Sequence, residues 1–291
     1  MGEGQASVQT GPIGVLDSGV GGLSVLRELR RLLPDEGIDY VADQGHVPYA
    51  PRLAEEVRRF VTGISRFLLA RGVKLIVVAC NTASVAALPH LRRVFPETPF
   101  VGMDPAIKPA AAATRTGKIG VLATTGTFRS ERYAYLVREF AQGVEVTGCP
   151  CPGLVEMIES GRAGSPEAEA LLRSFIGPMQ NRGVDTLVLG CTHFPLAREQ
   201  IQAVAGPGIR LIDPAPAVAR QVERVLRQRG LLAARADSAA TTRGPGSAAA
   251  VHLFSTGDGR ALGALAARVL GETTPAPQGL RWRTDGELEP A

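Results

Sequence analysis

The sequence predicts an α/β protein with mostly parallel sheets, arranged as two related units. Short apolar, β-branched runs alternate with helical patterns along the 291 residues, and this alternation is typical of parallel strands covered by helices. An internal repeat, described below, divides the strands into two sets. The candidate strands span residues 13–16, 38–42, 73–80, 100–103, 119–123, 144–147, 186–191, 210–213 and 252–255.

The candidate helices lie between these strands and carry their apolar residues on one face. Residues 24–33 place one valine and four leucines on a single stripe, which indicates an amphipathic helix packed on a sheet. Residues 128–140 form a second example. By contrast, segments 1–10, 231–250 and 271–291 are rich in small, polar or turn residues, and we expect them to be flexible. Trp282 is expected to pack on the surface of the nearest domain.

The composition excludes several classes of protein. Hydrophobic residues make up 45% and charged residues 21% of the chain, as in ordinary globular proteins. The formal net charge is only +4, so a nucleic-acid partner is not expected. The longest apolar run, over residues 75–80, is far shorter than the ~20 residues that a membrane helix needs. The first ten residues lack a signal-peptide pattern, and we therefore expect a cytoplasmic protein.

The four cysteines indicate reduced thiols. They lie at positions 80, 149, 151 and 191 of a chain without a secretory signal, a context in which cysteines stay reduced. There is no C-x-x-C motif, so we expect no metal site. The close pair Cys149-Pro-Cys151 is interpreted as packing in a strand-to-helix turn.

The internal repeat places two cysteines in equivalent positions. The tetrapeptide Ile-Gly-Val-Leu occurs at 13–16 and again at 119–122, each time before a small polar turn that contains glycine. Two later buried strands end in Cys80 and Cys191. Ligands of parallel sheets bind at the carboxyl ends of the strands, and the repeat therefore predicts that both cysteines face one shared cleft.

Two interpretations fit the first glycine-rich turn, residues 17–22. Its backbone N–H groups and the following helix start could bind a carboxylate or phosphate, or the glycines could serve a tight turn that needs positive φ. The spacing matches neither a P-loop nor a dinucleotide fingerprint. A cofactor that contains a nucleotide is therefore not expected.

The residues after the two cysteines favour a ligand site over simple packing. A lone strand cysteine is usually a buried packing residue, but here polar residues follow each thiol. They are Asn81 and Thr82 in the first case, and Thr192 and His193 in the second. A helix start can lower a thiol pKa, and His193 could relay protons. Two opposed thiols could remove a proton from one face of a carbon and return one to the other face, which inverts its configuration.

Five motifs carry a resemblance to a known family. The segments IGVLDSGVGGLSV, PYAPR, ACNTA, TGT and LVLGCTHFPL resemble the glutamate racemases of the cofactor-independent aspartate/glutamate racemase superfamily. The resemblance extends over about residues 13–258. The resemblance implies two pseudosymmetric α/β domains with the active site in the cleft between them. The first domain would comprise residues 11–102 and 212–270, and the second residues 103–211.

The resemblance also implies an activity and its context. The protein would interconvert L-glutamate and D-glutamate without a cofactor or metal, and would supply D-glutamate for peptidoglycan biosynthesis. It would be a cytoplasmic homodimer.

Matched to the family motifs, Cys80 would act on the D-isomer and Cys191 on the L-isomer. Asp17 would assist the first thiol and His193 the second. Glu159, in the run LVEMIESG, would align with the glutamate that the family places near that histidine. The substrate-binding positions would be Asp17, Ser18, Tyr49, Ala50, Asn81, Thr82, Thr124, Thr127, Thr192 and His193. Ala50 replaces a glycine that is usual in the family, which raises the question of whether the loop needs positive φ there.

Three alternatives stay open from the sequence. The enzyme could act on aspartate or another α-substituted acid. The chain could instead be a regulatory binding protein with a racemase scaffold, for example a partner of a topoisomerase. A thiol-disulfide protein is the third alternative.

Overall fold

The computed structural model describes residues 11–233, 249–271 and 274–291. The strands are β1 (Ile13–Asp17), β2 (Ile38–Ala42), β3 (Leu75–Val78), β4 (Phe100–Gly102), β5 (Lys118–Ala123), β6 (Glu145–Pro150), β7 (Thr186–Gly190), β8 (Arg210–Ile212), β9 (Val251–Ser255), β10 (Gln278–Trp282) and β11 (Leu288–Pro290). The α-helices are α1 (Leu23–Leu32), α2 (Ala54–Ala70), α3 (Asn81–Val94), α4 (Ile107–Ala113), α5 (Thr125–Phe128), α6 (Glu131–Phe140), α7 (Leu154–Glu159), α8 (Pro166–Asn181), α9 (Arg198–Ala205), α10 (Ala215–Gln228) and α11 (Arg260–Leu270). A 3₁₀ turn covers Phe194–Ala197.

The strands form two sheets, and the α/β prediction is confirmed. The first sheet has the order β11-β10-β9-β2-β1-β3-β4, and the second has the order β6-β5-β7-β8. All neighbouring strands are parallel except β10 and β11. We call the first sheet with its helices the first unit, and the second sheet with its helices the second unit.

Both sheets are covered by helices on their two faces, which is why their central strands are buried and mostly apolar. All five residues of β1 and all five of β7 are buried, as parallel strands between helix layers require. In the first unit, α1, α10 and α11 pack on one face and α2 and α3 on the other. In the second unit, α7, α8 and α9 cover one face and α4 and α6 the other.

The internal repeat corresponds to a repeated topology. The two Ile-Gly-Val-Leu segments form β1 and β5, and each strand is central in its sheet. Around them the order is the same, because β2-β1-β3-β4 in the first sheet corresponds to β6-β5-β7-β8 in the second. The prediction of two related strand sets is therefore confirmed at the level of the sheets.

The prediction of a flexible segment over 271–291 is wrong for most of that segment. Strand β10 extends the first sheet beside β9, and β11 pairs with β10 in the antiparallel direction. Leu280 is buried in the core between this sheet and α2. The glycine, proline and acidic residues suggested a loose tail, but Leu280 and Trp282 of β10 face the protein. The predicted flexible residues 1–10 and 234–248 lie outside the described residues.

Candidate active site

The predicted site residues lie where the central strands of both sheets end. Asp17 is the last residue of β1, Cys80 follows β3, Thr124 follows β5 and Cys191 follows β7. In each sheet the strand order changes direction between the first and third strands of the unit. Ligands of open parallel sheets bind in the crevice at such a switch point. Both units therefore present their binding edge to a common space.

That space is a narrow cavity between the two units. It is lined by Ser18, Pro48, Tyr49, Ala50, Cys80, Asn81, Thr82, Thr124, Val155, Cys191, Thr192 and His193. Ten of the predicted site residues are in this list, and the two thiols are among them. Asp17, Thr127 and Glu159 are not in the lining and contact residues that are.

Pro48 and Val155 also line the cavity, although the sequence analysis did not select them. Pro48 lies next to Tyr49 in the PYAPR motif, so that motif could have indicated it. Val155 is an apolar residue of the short helix α7, and nothing in the local sequence separates it from a core residue.

The Cys80 thiol is buried at the start of α3. Its Sγ accepts a hydrogen bond from the Ala83 N–H at 3.4 Å and lies 3.7 Å from Ser18 Oγ. Burial raises the pKa of Cys80 from 9.0 to about 12, and the nearby Asp17 carboxylate adds to the rise, while the Ala83 N–H opposes it. The helix start therefore lowers the pKa of the thiol as expected, but desolvation raises it more. The thiol is protonated at neutral pH.

Asp17 is a buried carboxyl group beside this thiol. It is 0% exposed, and burial raises its pKa from 3.8 to about 6, although the positive charge of His193 opposes the rise. The Gly19 N–H donates to Asp17 Oδ2 at 3.1 Å, and Thr192 Oγ1 donates to Oδ1 at 3.3 Å. Asp17 therefore connects the first unit to the loop that carries the second thiol.

The Cys191 thiol lies in a different electrostatic environment. Its Sγ is 3.7 Å from His193 Nδ1, and the opposite ring nitrogen, Nε2, is 2.6 Å from Glu159 Oε1. Burial disfavours charge on His193, but the hydrogen bonds with Cys191 and Glu159 outweigh it and raise the pKa of His193 well above its ordinary value. Burial likewise opposes charge on Glu159, yet the bond from His193 holds the pKa of that carboxyl below its usual range.

The glycine-rich turn after β1 binds carboxylates, but they belong to the protein. The Gly19 N–H donates to Asp17, and the Val20 N–H donates to Glu159 Oε1 at 2.8 Å across the two units. None of the turn's glycines has positive φ, so the hypothesis of a tight turn that needs positive φ is wrong. A Cβ on Gly21 would instead lie 2.5 Å from His193 Nδ1. Glycine is therefore needed here for close approach of the two units.

Asn81 has the strongest local indication of a bound ligand. Its side chain is 2% exposed and lines the cavity, and within the described chain both its amide nitrogen and its amide oxygen lack a hydrogen-bond partner. A buried polar group without a partner costs about 1–3 kcal/mol. A ligand with both a donor and an acceptor, such as an amino acid, would satisfy both atoms.

Hydroxyl groups connect the two sides of the cavity. Thr82 Oγ1 of the first unit is 3.1 Å from Thr124 Oγ1 of the second, which in turn is 3.1 Å from Thr127 Oγ1. Tyr49 directs its hydroxyl proton to Asp43 Oδ2 at 2.6 Å. Toward a ligand, its oxygen therefore acts as an acceptor. No described residue other than glycine has positive φ, so Ala50 fits its loop without strain.

The other two cysteines lie away from the cavity lining. Cys149 is in β6, and Cys151 is buried in the core of the second unit against α7 and α8. In the described ranges, no three His, Cys, Asp or Glu side chains are grouped so that they could hold a metal ion. None of the described helices has the length and apolarity needed to span a bilayer.

Comparison with known proteins gives the class of this enzyme. A sequence model of the Asp/Glu/Hydantoin racemase family matches residues 13–222, and the chain belongs to that family. A curated glutamate racemase of Ectopseudomonas mendocina is 48% identical over 261 residues, which are 90% of this chain and 95% of the relative. The chain is therefore an amino-acid racemase.

Solved structures agree with this assignment. Glutamate racemase RacE1 of Bacillus anthracis superposes with a TM-score of 0.80 at 33% identity, covering 93% of this chain and 97% of that one. Glutamate racemase of Escherichia coli, in complex with L-glutamate and the activator UDP-MurNAc-ala, gives 0.76 at 35% identity, covering 89% and 95%. The fold expected from the sequence is thus that of glutamate racemases.

We expect Gly21→Ala to impair racemisation without preventing folding. The new methyl group would press on His193 and Thr192 across the two units, and a displacement of about 1 Å at a catalytic site can lower kcat about 100-fold. Steady-state racemisation rates measure the effect. Gly208→Ala is the matched control, because its Cβ would meet no atom within 4 Å. A fully active Gly21→Ala enzyme would contradict the close-approach argument.

We expect Asp17→Asn to stabilise the protein at neutral pH while it lowers activity. The pKa of Asp17 is higher in the folded protein, so its contribution to stability is complete below the unfolded pKa and is lost as pH rises through about 6. A shift of about two units corresponds to about 3 kcal/mol. Urea unfolding gives the free energy of unfolding of both proteins at about pH 4 and about pH 8. The stability of the Asn variant relative to the unaltered protein should rise by about this amount from the lower to the higher pH. The exposed Asp35→Asn should give no comparable gain, and an Asn variant without a pH-dependent advantage would refute the argument.

Proposed function

We propose that this racemase interconverts L-glutamate and D-glutamate by two-base proton transfer at Cα, without a cofactor. The observation that carries the proposal is that Cys80 and Cys191 come from opposite units and line one cavity. Inversion at a carbon requires an acid and a base on opposite faces, and this placement can supply them. The identity to curated glutamate racemases over most of the chain supports glutamate as the substrate.

In the proposed reaction, the Cys80 thiolate takes the Cα proton of D-glutamate and becomes a thiol. The electron pair of the broken C–H bond spreads into the α-carboxylate. The Cys191 thiol then donates its proton to the opposite face of Cα, where that pair forms the new C–H bond of L-glutamate. The reverse reaction starts with Cys191 as the thiolate. Each direction leaves the two thiols with their protonation states exchanged.

The burial of the site suits a weakly acidic carbon. A thiol with a pKa of about 12, as burial gives Cys80, forms a strongly basic thiolate once it loses its proton. We assign Asp17 to assist proton transfer at Cys80 and His193 to assist it at Cys191. Glu159 holds His193 through the 2.6 Å hydrogen bond. The two thiols therefore have partners of opposite charge.

The polar groups of the cavity are assigned to the substrate's ammonium and carboxylate groups. The unpartnered amide of Asn81 supports this assignment most directly. The complete set, as matched to the family motifs, comprises Asp17, Ser18, Tyr49, Ala50, Asn81, Thr82, Thr124, Thr127, Thr192 and His193. Preorganised donors of this kind stabilise the negative charge that develops when Cα loses its proton.

The biological setting follows from the family. We propose that the D-glutamate serves peptidoglycan biosynthesis, that the enzyme acts in the cytoplasm, and that it works as a homodimer.

The substrate assignment is tested by following optical activity with a panel of D- and L-amino acids and no added cofactor. We expect both glutamate enantiomers to become racemic and aspartate to react with a kcat/KM about 10- to 200-fold lower, because it lacks one methylene group. Each enantiomer of glutamate should acquire one solvent deuteron at Cα as it is inverted. A preference for aspartate would overturn the assignment of glutamate.

The two-base scheme is tested by replacing each thiol separately. We expect Cys80→Ser and Cys191→Ser to lower glutamate racemisation by about 1000-fold or more, because general acid–base catalysis contributes factors of this size, while glutamate still binds. Cys149→Ser is the matched control and should retain full activity, because Cys149 is not in the cavity wall. If either site variant kept normal turnover, the scheme would be wrong.

A further inference from the structure

One buried carboxylate next to the cavity collects hydrogen bonds from distant parts of the first unit. Asp43 follows β2 and is 0% exposed. The Trp282 indole Nε1–H and the Thr256 hydroxyl donate to its Oδ1 at 2.8 and 2.7 Å, and the Tyr49 hydroxyl donates to Oδ2 at 2.6 Å. His46 Nδ1 is 3.0 Å from the same Oδ2. Asp43 thus connects strand β10 to the loop that bears Tyr49.

This loop, residues 43–50, forms one wall of the cavity. Pro48, Tyr49 and Ala50 line the cavity. At its start, the Asp43 N–H donates to the backbone oxygen of Asp17 at 3.0 Å. Asp43 therefore links Tyr49 to the end of β1, where Asp17 lies.

Trp282 packs against aromatic residues of the first unit and against helix α2. Its ring lies 5.4 Å from the ring of His46 and 5.8 Å from that of Phe60. On helix α2, a Cβ at Gly63 would lie 2.6 Å from Trp282 Cζ3. Glycine inside a helix is destabilising by about 0.5–1 kcal/mol relative to alanine. The close approach of the indole ring and of the Gly286 backbone oxygen explains why it is present here.

We propose that Trp282 is a positioning residue for the substrate. Through Asp43 it holds Tyr49 and the loop 43–50 in the place where they bind glutamate, and this role rests on the proposed function. Tyr49 donates its hydroxyl proton to Asp43, so its oxygen can accept a hydrogen bond from the ammonium group of the substrate. Without the indole N–H, Asp43 loses one of the donors that fix its Oδ1. Substrate binding is then weakened more than the chemical step, because the thiols lie at the ends of other strands.

The test is the kinetics of Trp282→Phe, which keeps an apolar ring and removes the N–H donor. We expect KM for glutamate to rise about tenfold, equivalent to about 1.4 kcal/mol, while kcat changes less than about twofold. Thr256→Val leaves β10 intact but removes the other donor to the same oxygen, together with the acceptor of the Gly45 N–H in the same loop. It should raise KM in the same direction. It keeps the test valid if Trp282→Phe does not fold.

A double-variant cycle separates positioning from general stability. If Trp282 acts through Asp43 and Tyr49, then Trp282→Phe should raise KM little further in a Tyr49→Phe background, because the two changes interrupt one path. Arg281→Gln is the matched control. It breaks the exposed ion pair between Arg281 and Glu289 on the same two strands and should leave KM unchanged.

Three results would overturn the positioning role. They are an unaltered KM in both donor variants, a KM effect fully additive with Tyr49→Phe, and an equal effect of Arg281→Gln. Lack of glutamate turnover by the unaltered protein is a different outcome, because it would contradict the proposed function itself.

Discussion

The hydrogen bonds of the Glu159 carboxylate are the interactions on which the rest of the site depends. One oxygen is shared by His193 Nε2 of the second unit and the Val20 N–H of the first. A carboxylate that is 13% exposed keeps its charge in such a place only when donors surround it. The same bonds therefore set three features together: the approach of the two units, the orientation of His193, and the partner that Cys191 faces. The glycines of the first turn make this approach sterically possible.

The two thiols differ because their neighbours carry opposite charge. Cys80 lies near a buried acid, whereas Cys191 contacts a histidine whose proton is retained by Glu159. Burial strengthens both effects, since charges interact more strongly where water is excluded. It also makes the site unfavourable for folding, because Asp17 must lose its hydration to ionise there. The fold tolerates this through the apolar strands that surround the site on both faces of each sheet.

The sequence was sufficient for the parts of the site that depend on local order. Strand ends, the two cysteines and their polar neighbours follow from hydrophobic pattern and the repeat, and the family motifs add Asp17 and Glu159. Contacts between distant segments could not be predicted from the sequence. The role of Gly21 requires the position of His193, and the bond between Asp43 and Trp282 joins residues 239 positions apart. Strand β10 was not predicted for the same reason. It is held by pairing with β9 and by the packing of Trp282 against α2.

The repeat also explains how each unit closes its side of the cavity. In the first unit, the loop after β2 contributes Tyr49 to the wall, and Asp43 binds its hydroxyl. In the second, the segment after the equivalent strand β6 contributes Val155 of α7, and Glu159 of the same helix binds His193. Each unit thus uses a carboxylate beyond its second strand to fix a side chain of the cavity. Within the part of the chain that the structure describes, only the first carboxylate also accepts a hydrogen bond from a strand added at the sheet edge. The added strands therefore act on one of the two equivalent units.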